Sequence, residues 1–362
     1  MARECHVRFC EQLGGKFPGL TRQTARYDDI NRILLKRRCR RKESKEDVVF
    51  KAIDEQAVTL ALRFPTLLDA LKKMFTENVE TPVRTIHDIR SGDWPTGSLL
   101  LMPAWDSSRY FGVKTVTVFA ENVGLGLPGL HSTYTLFDRQ TGMPLALIAG
   151  NPITARRTAA ASALAGDYLA RKDASRLLIV GAGAVASMLA DAYSAVRPLA
   201  EICVWNRNNA RAHALVDKLR SQGYSARLSE DLKEDVRKAD IVSCATFSTE
   251  PLILREWLQP GTHLDLIGGF KPSMREADDA CFADTSVFID TEEALLKAGD
   301  LLSPIHNGVF HACSVKADLK QLCRRAHPGR VDDHEITVFK AVGNALEDLV
   351  AARLVYESEH AV

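Results

Sequence analysis

A chain of 362 residues is long enough for two domains or one large one. Lys and Arg number 47 against 46 Asp and Glu, a net charge of +1, which excludes a whole-chain attraction to nucleic acid or to acidic membranes. No stretch approaches the roughly twenty apolar residues of a spanning helix, and none of the eight cysteines stands in C-x-x-C spacing, so reduced, buried thiols in a cytoplasmic protein are expected.

Residues 1–46 do not match the rest. From Arg32 to Lys45 the chain reads RILLKRRCRRKESK, with eight basic residues and almost no apolar periodicity. A nucleic-acid-binding arm, a transit peptide and a disordered tail compete for it. The expectation is a disordered basic tail, with a start codon assigned too far upstream as one origin for it. Ordered patterning begins at Val48. Residues 54–76 carry apolar positions at helical spacing, broken near Pro65, which predicts two helices. Strand-like runs follow at 83–86, 98–102, 110–119, 133–137 and 145–148, the last two joined across the turn-forming 138–142. An Ala-rich helix over 154–170 then carries the chain into a second region.

That region opens with Leu177-Leu178-Ile179-Val180, a continuous apolar run of the kind a strand buried on both faces requires. Gly181, Gly183 and Ala186 follow in G-x-G-x-x-A spacing, then a helix to about Val196, then a second apolar run, Ile202-Cys203-Val204-Trp205. Gly181 permits the tight turn, Gly183 lets backbone approach a pyrophosphate, and Ala186 lets helix and sheet pack closely. Free N–H groups at the helix start then face the phosphates. The motif alone is weak evidence; between a buried strand and a helix it predicts a dinucleotide site that includes Gly181, Ala182, Gly183 and Ala184. After the second strand stand Asn206, Arg207 and Asn208, with no carboxylate to take the ribose hydroxyls. A guanidinium pairs with a 2′-phosphate, so NADPH is expected, with NADH possible; a solvated turn arginine is the competing reading. Further strands are expected near 241–245, 263–267 and 287–290, and a long helix over 333–356 is expected to return to the first region. The predicted fold class is α/β: a Rossmann dinucleotide-binding domain over 156–331 plus an α+β domain over 47–155 with 332–362. No His, Cys, Asp and Glu grouping has metal-ligand spacing, so no metal is expected.

From about Val48 onward the chain resembles the ornithine cyclodeaminase/mu-crystallin family of NAD(P)-dependent oxidoreductases. The resemblance is carried by PVRTIHD (82–88), LLMPAW (100–105), YFGVKTVTVF (110–119), LFDRQTGMPLAL (136–147), TARRTAAASALA (154–165), LLIVGAGAVA (177–186), VWNR (204–207), ATFSTEP (245–251), PGTHLDLIGGFKPSMRE (260–276) and ITVFKAVGNALEDL (336–349). It implies a Rossmann domain paired with a substrate-binding domain that also forms a homodimer interface. It also implies that Arg84, Lys114 and Arg157 surround the substrate, with Arg84 and Lys114 on its carboxylate and Arg157 between substrate and cofactor. Read without the resemblance, each is an ordinary surface cation, although Lys114 lies in the β-favouring run GVKTVTV and Arg157 on a helix of small residues. Arg156 is the neighbouring structural residue. Thr246 and Phe247 are expected near the adenosine and ribose, and Ile267 beside the nicotinamide; strand-end core residues are the alternative. His131 is read as a loop histidine.

Departures from the family pattern narrow the chemistry. The cyclodeaminases carry an Asp in an Asp-x-Pro-Gly-Lys segment, and here Phe270 stands in its place within GGFKPSMRE. Phenylalanine cannot move a proton, and the segment resembles the branch of ketimine and pyrroline-2-carboxylate reductases. A second departure, Ala149 before the bridging helix, has no reading. The expected function is NAD(P)H-dependent reduction of a small cyclic imino acid, Δ1-pyrroline-2-carboxylate to L-proline or Δ1-piperideine-2-carboxylate to L-pipecolate, with Lys114 as the catalytic residue. Ornithine cyclodeamination, an alanine-type amino-acid dehydrogenase and a non-catalytic crystallin-like binding protein are the alternatives.

Overall fold

The computed structural model describes residues 50–360 apart from Asp93 and Ser108, so the expectation for residues 1–46 lies outside the described residues. Seven strands form a first sheet: β1 (Lys51–Ile53), β2 (Val79–Glu80), β3 (Thr85–Ser91), β4 (Trp94–Asp106), β5 (Tyr110–Val118), β6 (Leu130–Asp138) and β7 (Pro144–Ala149). Their order is β1-β7-β6-β5-β4-β2, with β3 also on β4; every pairing is antiparallel except β1 on β7. Strand β5 alternates strictly in burial and sends Tyr110, Gly112, Lys114 and Val116 to its covered face. Lys114 therefore faces inward, opposite Met102 of β4 and Tyr134 of β6. Two helices occupy 54–76 as expected, Glu55–Ala61 capped by Asp54 and Phe64–Thr76 with Pro65 in its first turn, where a proline's missing N–H costs nothing. His131 is not in a loop: it sits in β6, paired with Thr117 and exposed, because β6 begins earlier than its apolar residues suggest.

Eight strands form a second, wholly parallel sheet: β8 (Arg176–Val180), β9 (Glu201–Trp205), β10 (Ala226–Leu228), β11 (Ile241–Cys244), β12 (His263–Leu266), β13 (Ser286–Ile289), β14 (Ala317–Asp318) and β15 (Thr337–Lys340). The order β10-β9-β8-β11-β12-β15-β13-β14 reverses between β8 and β11, the topological position at which a crevice opens beyond the strands' carboxyl ends. In β8, Leu177 and Ile179 join one hydrophobic core and Leu178 and Val180 the other, the physical reason the run is apolar throughout.

The helix Gly150–Leu169 packs against the first-sheet strand β6, the second-sheet strand β12 and the helices Phe64–Thr76, Ala186–Ser194 and Ala345–Ser358. Its small residues permit close approach on several sides at once. The expected 333–356 helix needs correction. Ile336-Thr337-Val338-Phe339 is a β-branched and aromatic run that enters the second sheet as β15, between β12 and β13. Gly343 then turns the chain at φ +81°, and Asn344 caps a shorter helix, Ala345–Ser358, through its side chain on the Leu346 N–H. A boundary at residue 332 thus assigns one strand of the second sheet to the first domain. The Ala345–Ser358 helix itself packs on β4, β5 and β6.

Candidate functional site

The first half of the site is built from backbone. Gly181 ends β8 with φ +123°, and a Cβ there would stand 2.6 Å from the Ala245 carbonyl oxygen, so the turn admits only glycine. Around Gly183 no heavy atom lies within 4 Å of where a Cβ would project, and Gly183 and Ala184 are exposed, Ala182 half-buried. Among the described residues the N–H groups of Ala182, Gly183, Ala184 and Val185 meet no protein acceptor, and they precede the helix Ala186–Ser194. Open backbone, free donors and a helix start fit a pyrophosphate. Asn206 follows β9 and donates from Nδ2 to the Asn208 carbonyl at 2.9 Å, while Arg207 is exposed at the same rim.

Beyond β11 and β12 the strand ends are tied by one buried carboxylate. Glu276 Oε1 accepts from the Thr246 N–H (2.7 Å) and hydroxyl (2.8 Å), and Oε2 accepts from the Gly268 N–H (2.7 Å). Burial pushes its carboxyl up to about 7; Lys340 opposes the shift and Asp300 reinforces it. Thr246 therefore turns its hydroxyl inward to Glu276. Phe247 is 81% exposed and meets the Phe270 ring edge-on at 6.3 Å. Ile267 is buried, its N–H on the Cys244 carbonyl at 2.8 Å.

The second half is a cluster of side chains. Lys114 is 2% exposed, and its Nζ lies 2.8 Å and 2.7 Å from the two carboxylate oxygens of Asp348. Arg157, also buried, donates from Nε to Asp348 Oδ1 at 2.9 Å and from Nη1 to Glu347 Oε2 at 2.6 Å. Arg84 donates from Nη2 to the Gly343 carbonyl at 2.6 Å and from Nε to Glu293 at 3.2 Å, and keeps more exposure than the other two cations. Gly343 joins them: a Cβ there would lie 2.5 Å from Arg157 Nη1, and its N–H is held by Asp290 at 2.6 Å. Arg156, one residue earlier, points instead to the Leu62 carbonyl and the Phe64 ring.

Electrostatics follow from this crowding. Burial and then the Arg157 charge pull the Lys114 ammonium down to about 8, against Asp348, and Arg84 adds to the depression. Burial also disfavours the charge on Arg157, but Asp348 and Glu347 outweigh it and raise its pKa. Glu347 is pushed up to about 7 by burial, with Asp290 and Asp348 adding and Arg157 opposing. The arrangement sets the more exposed Arg84 guanidinium beside a buried Lys114 whose ammonium is pulled down to about 8.

Arg84, Lys114 and Arg157, distant in sequence, thus share one cluster, while Gly181–Ala184, Asn206, Arg207, Thr246, Phe247 and Ile267 line the carboxyl edge of the second sheet. Sequence reasoning missed Glu347 and Asp348. Two acids in the first turn of a helix read as ordinary partners of the helix dipole; the one available signal was their place in an otherwise apolar run. It also missed Glu276, whose ties to Thr246 and Gly268 depend on the loop after β12.

Residues 48–361 match the model of the ornithine cyclodeaminase/mu-crystallin family. The Δ1-pyrroline-2-carboxylate reductase of Paracoccus denitrificans (strain Pd 1222) is 42% identical over 275 residues, which cover 75% of this chain and 86% of that protein. The structure of Thermococcus litoralis Δ1-pyrroline-2-carboxylate reductase in complex with NADH and L-proline superposes with a TM-score of 0.81 at 32% identity, over 86% of this chain and 98% of the other. An archaeal alanine dehydrogenase dimer with bound NAD gives a TM-score of 0.80 at 26% identity, over 86% and 96% of the two chains. With the Rossmann order of the second sheet, these matches establish that the chain belongs to the ornithine cyclodeaminase/mu-crystallin family.

Proposed function

We propose that this protein reduces Δ1-pyrroline-2-carboxylate to L-proline, with NADPH as its preferred hydride donor. The observation that carries the reading is the buried Lys114–Asp348–Arg157 cluster with Arg84 at its rim, in a chain similar over most of its length to pyrroline-2-carboxylate reductases. Arg84 and Lys114 take the substrate carboxylate, a guanidinium and an ammonium together fixing its orientation. Arg157 seats the ring against the cofactor. The bound dinucleotide supplies the hydride that converts the imine carbon to a saturated centre. The imine nitrogen takes one proton from solvent, and Lys114, its ammonium pulled down to about 8, polarises that nitrogen. Phe270, with no proton to give, suits reduction better than loss of ammonia.

Arg207 beside Asn206, with no acidic side chain between Trp205 and Asn208, supports NADPH over NADH. The likeness to a dimeric alanine dehydrogenase, with Val83, Ile86 and Ile89 exposed along β3 and the segment before it, supports a homodimer. Among the described residues no helix is long and apolar enough to cross a membrane, in keeping with a cytoplasmic enzyme. The larger Δ1-piperideine-2-carboxylate differs by one methylene, which a pocket discriminates only modestly.

The test follows the loss of reduced-nicotinamide absorbance with each imine, using NADPH and NADH in turn. Imine-dependent oxidation, faster with NADPH, is expected, and Arg207→Ala should weaken NADPH about tenfold while sparing NADH. No oxidation with either imine, together with ammonia release from ornithine, would overturn the proposal.

A further inference from the structure

Lys114 and Arg157 reach the site from different elements, one from β5 and one from the Gly150–Leu169 helix, and both are buried beside a like charge. A lysine stem is flexible, and two cations in a poorly solvated setting push apart. Their common partner is Asp348: Oδ1 accepts from Lys114 Nζ at 2.8 Å and from Arg157 Nε at 2.9 Å, and Oδ2 lies 2.7 Å from Lys114 Nζ. Glu347, the next residue back, accepts from Arg157 Nη1 at 2.6 Å. One edge of the guanidinium and one side of the ammonium are therefore occupied by the Ala345–Ser358 helix.

We infer that Asp348 is a positioning residue of the reduction, a carboxylate that fixes the separation and the aim of Lys114 and Arg157 toward the substrate. The inference rests on the imine-reductase reading. The Asn344 cap and the packing of this helix on β4, β5 and β6 hold Asp348 in place. A purely structural ion pair could be replaced by apolar side chains at little cost; here both cations belong to the substrate site. The groups facing Lys114 are Asp348 on the Ala345–Ser358 helix, Arg157 on the Gly150–Leu169 helix, Arg84 before β3 and the Tyr134 phenol opposite it on β6. Of these only Asp348 favours the ammonium; the two guanidinium groups oppose it.

The experiment compares wild type, Asp348→Asn and Asp348→Glu on Δ1-pyrroline-2-carboxylate with NADPH, across neutral to alkaline pH. Activity that needs the ammonium is lost as pH rises through its pKa, about 8 in the intact site. Asp348→Asn should lower kcat about 100-fold, the scale of a misplaced reacting geometry, and move the alkaline limb to lower pH. NADPH binding should not change. Asp348→Glu keeps the charge on a longer arm, so it should restore the limb while kcat stays several-fold below wild type. The inference fails if folded Asp348→Asn keeps the wild-type limb, whatever its kcat, or if Asp348→Glu matches wild type in kcat; the latter decides alone should Asp348→Asn not fold. Wild type inactive on both imines removes the reductase reading and this inference with it, whereas active wild type with an unmoved limb removes only the inference.

Discussion

The two halves of the site hold charge in opposite ways. At the carboxyl edge of β8 the groups offered to a ligand are backbone N–H donors from four consecutive residues, Ala182 to Val185, shaped by a glycine at φ +123°. In the cationic cluster they are side chains from three separate segments, Arg84, Lys114 and Arg157, held in ion pairs with Asp348, Glu347 and Glu293. The first needs no counterion, because partial charges on amides are oriented for free by the turn and the helix start. The second needs one for every cation, since an unpaired charge in that setting would lose its proton or its place. The backbone half of the site thus lies on local sequence, and the cationic half relies on long-range assembly.

Removing a member of each half separates them. Lys114→Met takes away a buried cation and leaves Asp348 with Arg157 alone, so kcat/KM for the imine should fall by about 10²–10⁴, with NADPH affinity retained in a fluorescence titration. Equal loss of cofactor binding would mean that the halves are not independent. Gly181→Ala acts on the other side. Its Cβ would meet the Ala245 carbonyl at 2.6 Å in a backbone conformation that L side chains avoid, about 1–3 kcal/mol of strain. Its expected signature is weaker NADPH binding and a lowered Tm, with the KM for the imine unchanged at saturating cofactor. The smallest effect belongs to the rim. Arg84→Gln should raise the KM for the imine about tenfold, the worth of one charged hydrogen bond, with kcat little altered. A kcat loss as large as that of Lys114→Met would place Arg84 among the groups that act on the reacting atoms.

Legibility in the sequence followed the same division. The strand–turn–helix–strand unit around Gly181 was readable because each residue's requirement is local: apolar on both faces, free φ, small at the helix contact. The alternation that turns Lys114 inward was half readable, since β5 has the period of a strand but nothing in it says which face is covered. The final segment misled. Asp333 to Tyr356 has helical content enough to suggest one element, yet Ile336–Phe339 is drawn into the parallel sheet by the gap between β12 and β13. That insertion, followed by the Gly343 turn, is what brings Glu347 and Asp348 under Arg157 and Lys114. Glu276 escaped notice for a similar reason, its role being to join two strand ends that only the folded sheet makes neighbours.

What the amino-acid sequence determined by itself is therefore the nucleotide half and the family to which the chain belongs, because turn chemistry, strand burial and helix starts are written in residues a few positions apart. The tertiary structure alone decided which acid answers which cation. Ion pairing is set by distances between β5, the bridging helix and the helix after Gly343, and those distances come from the packing of the two sheets around a shared core.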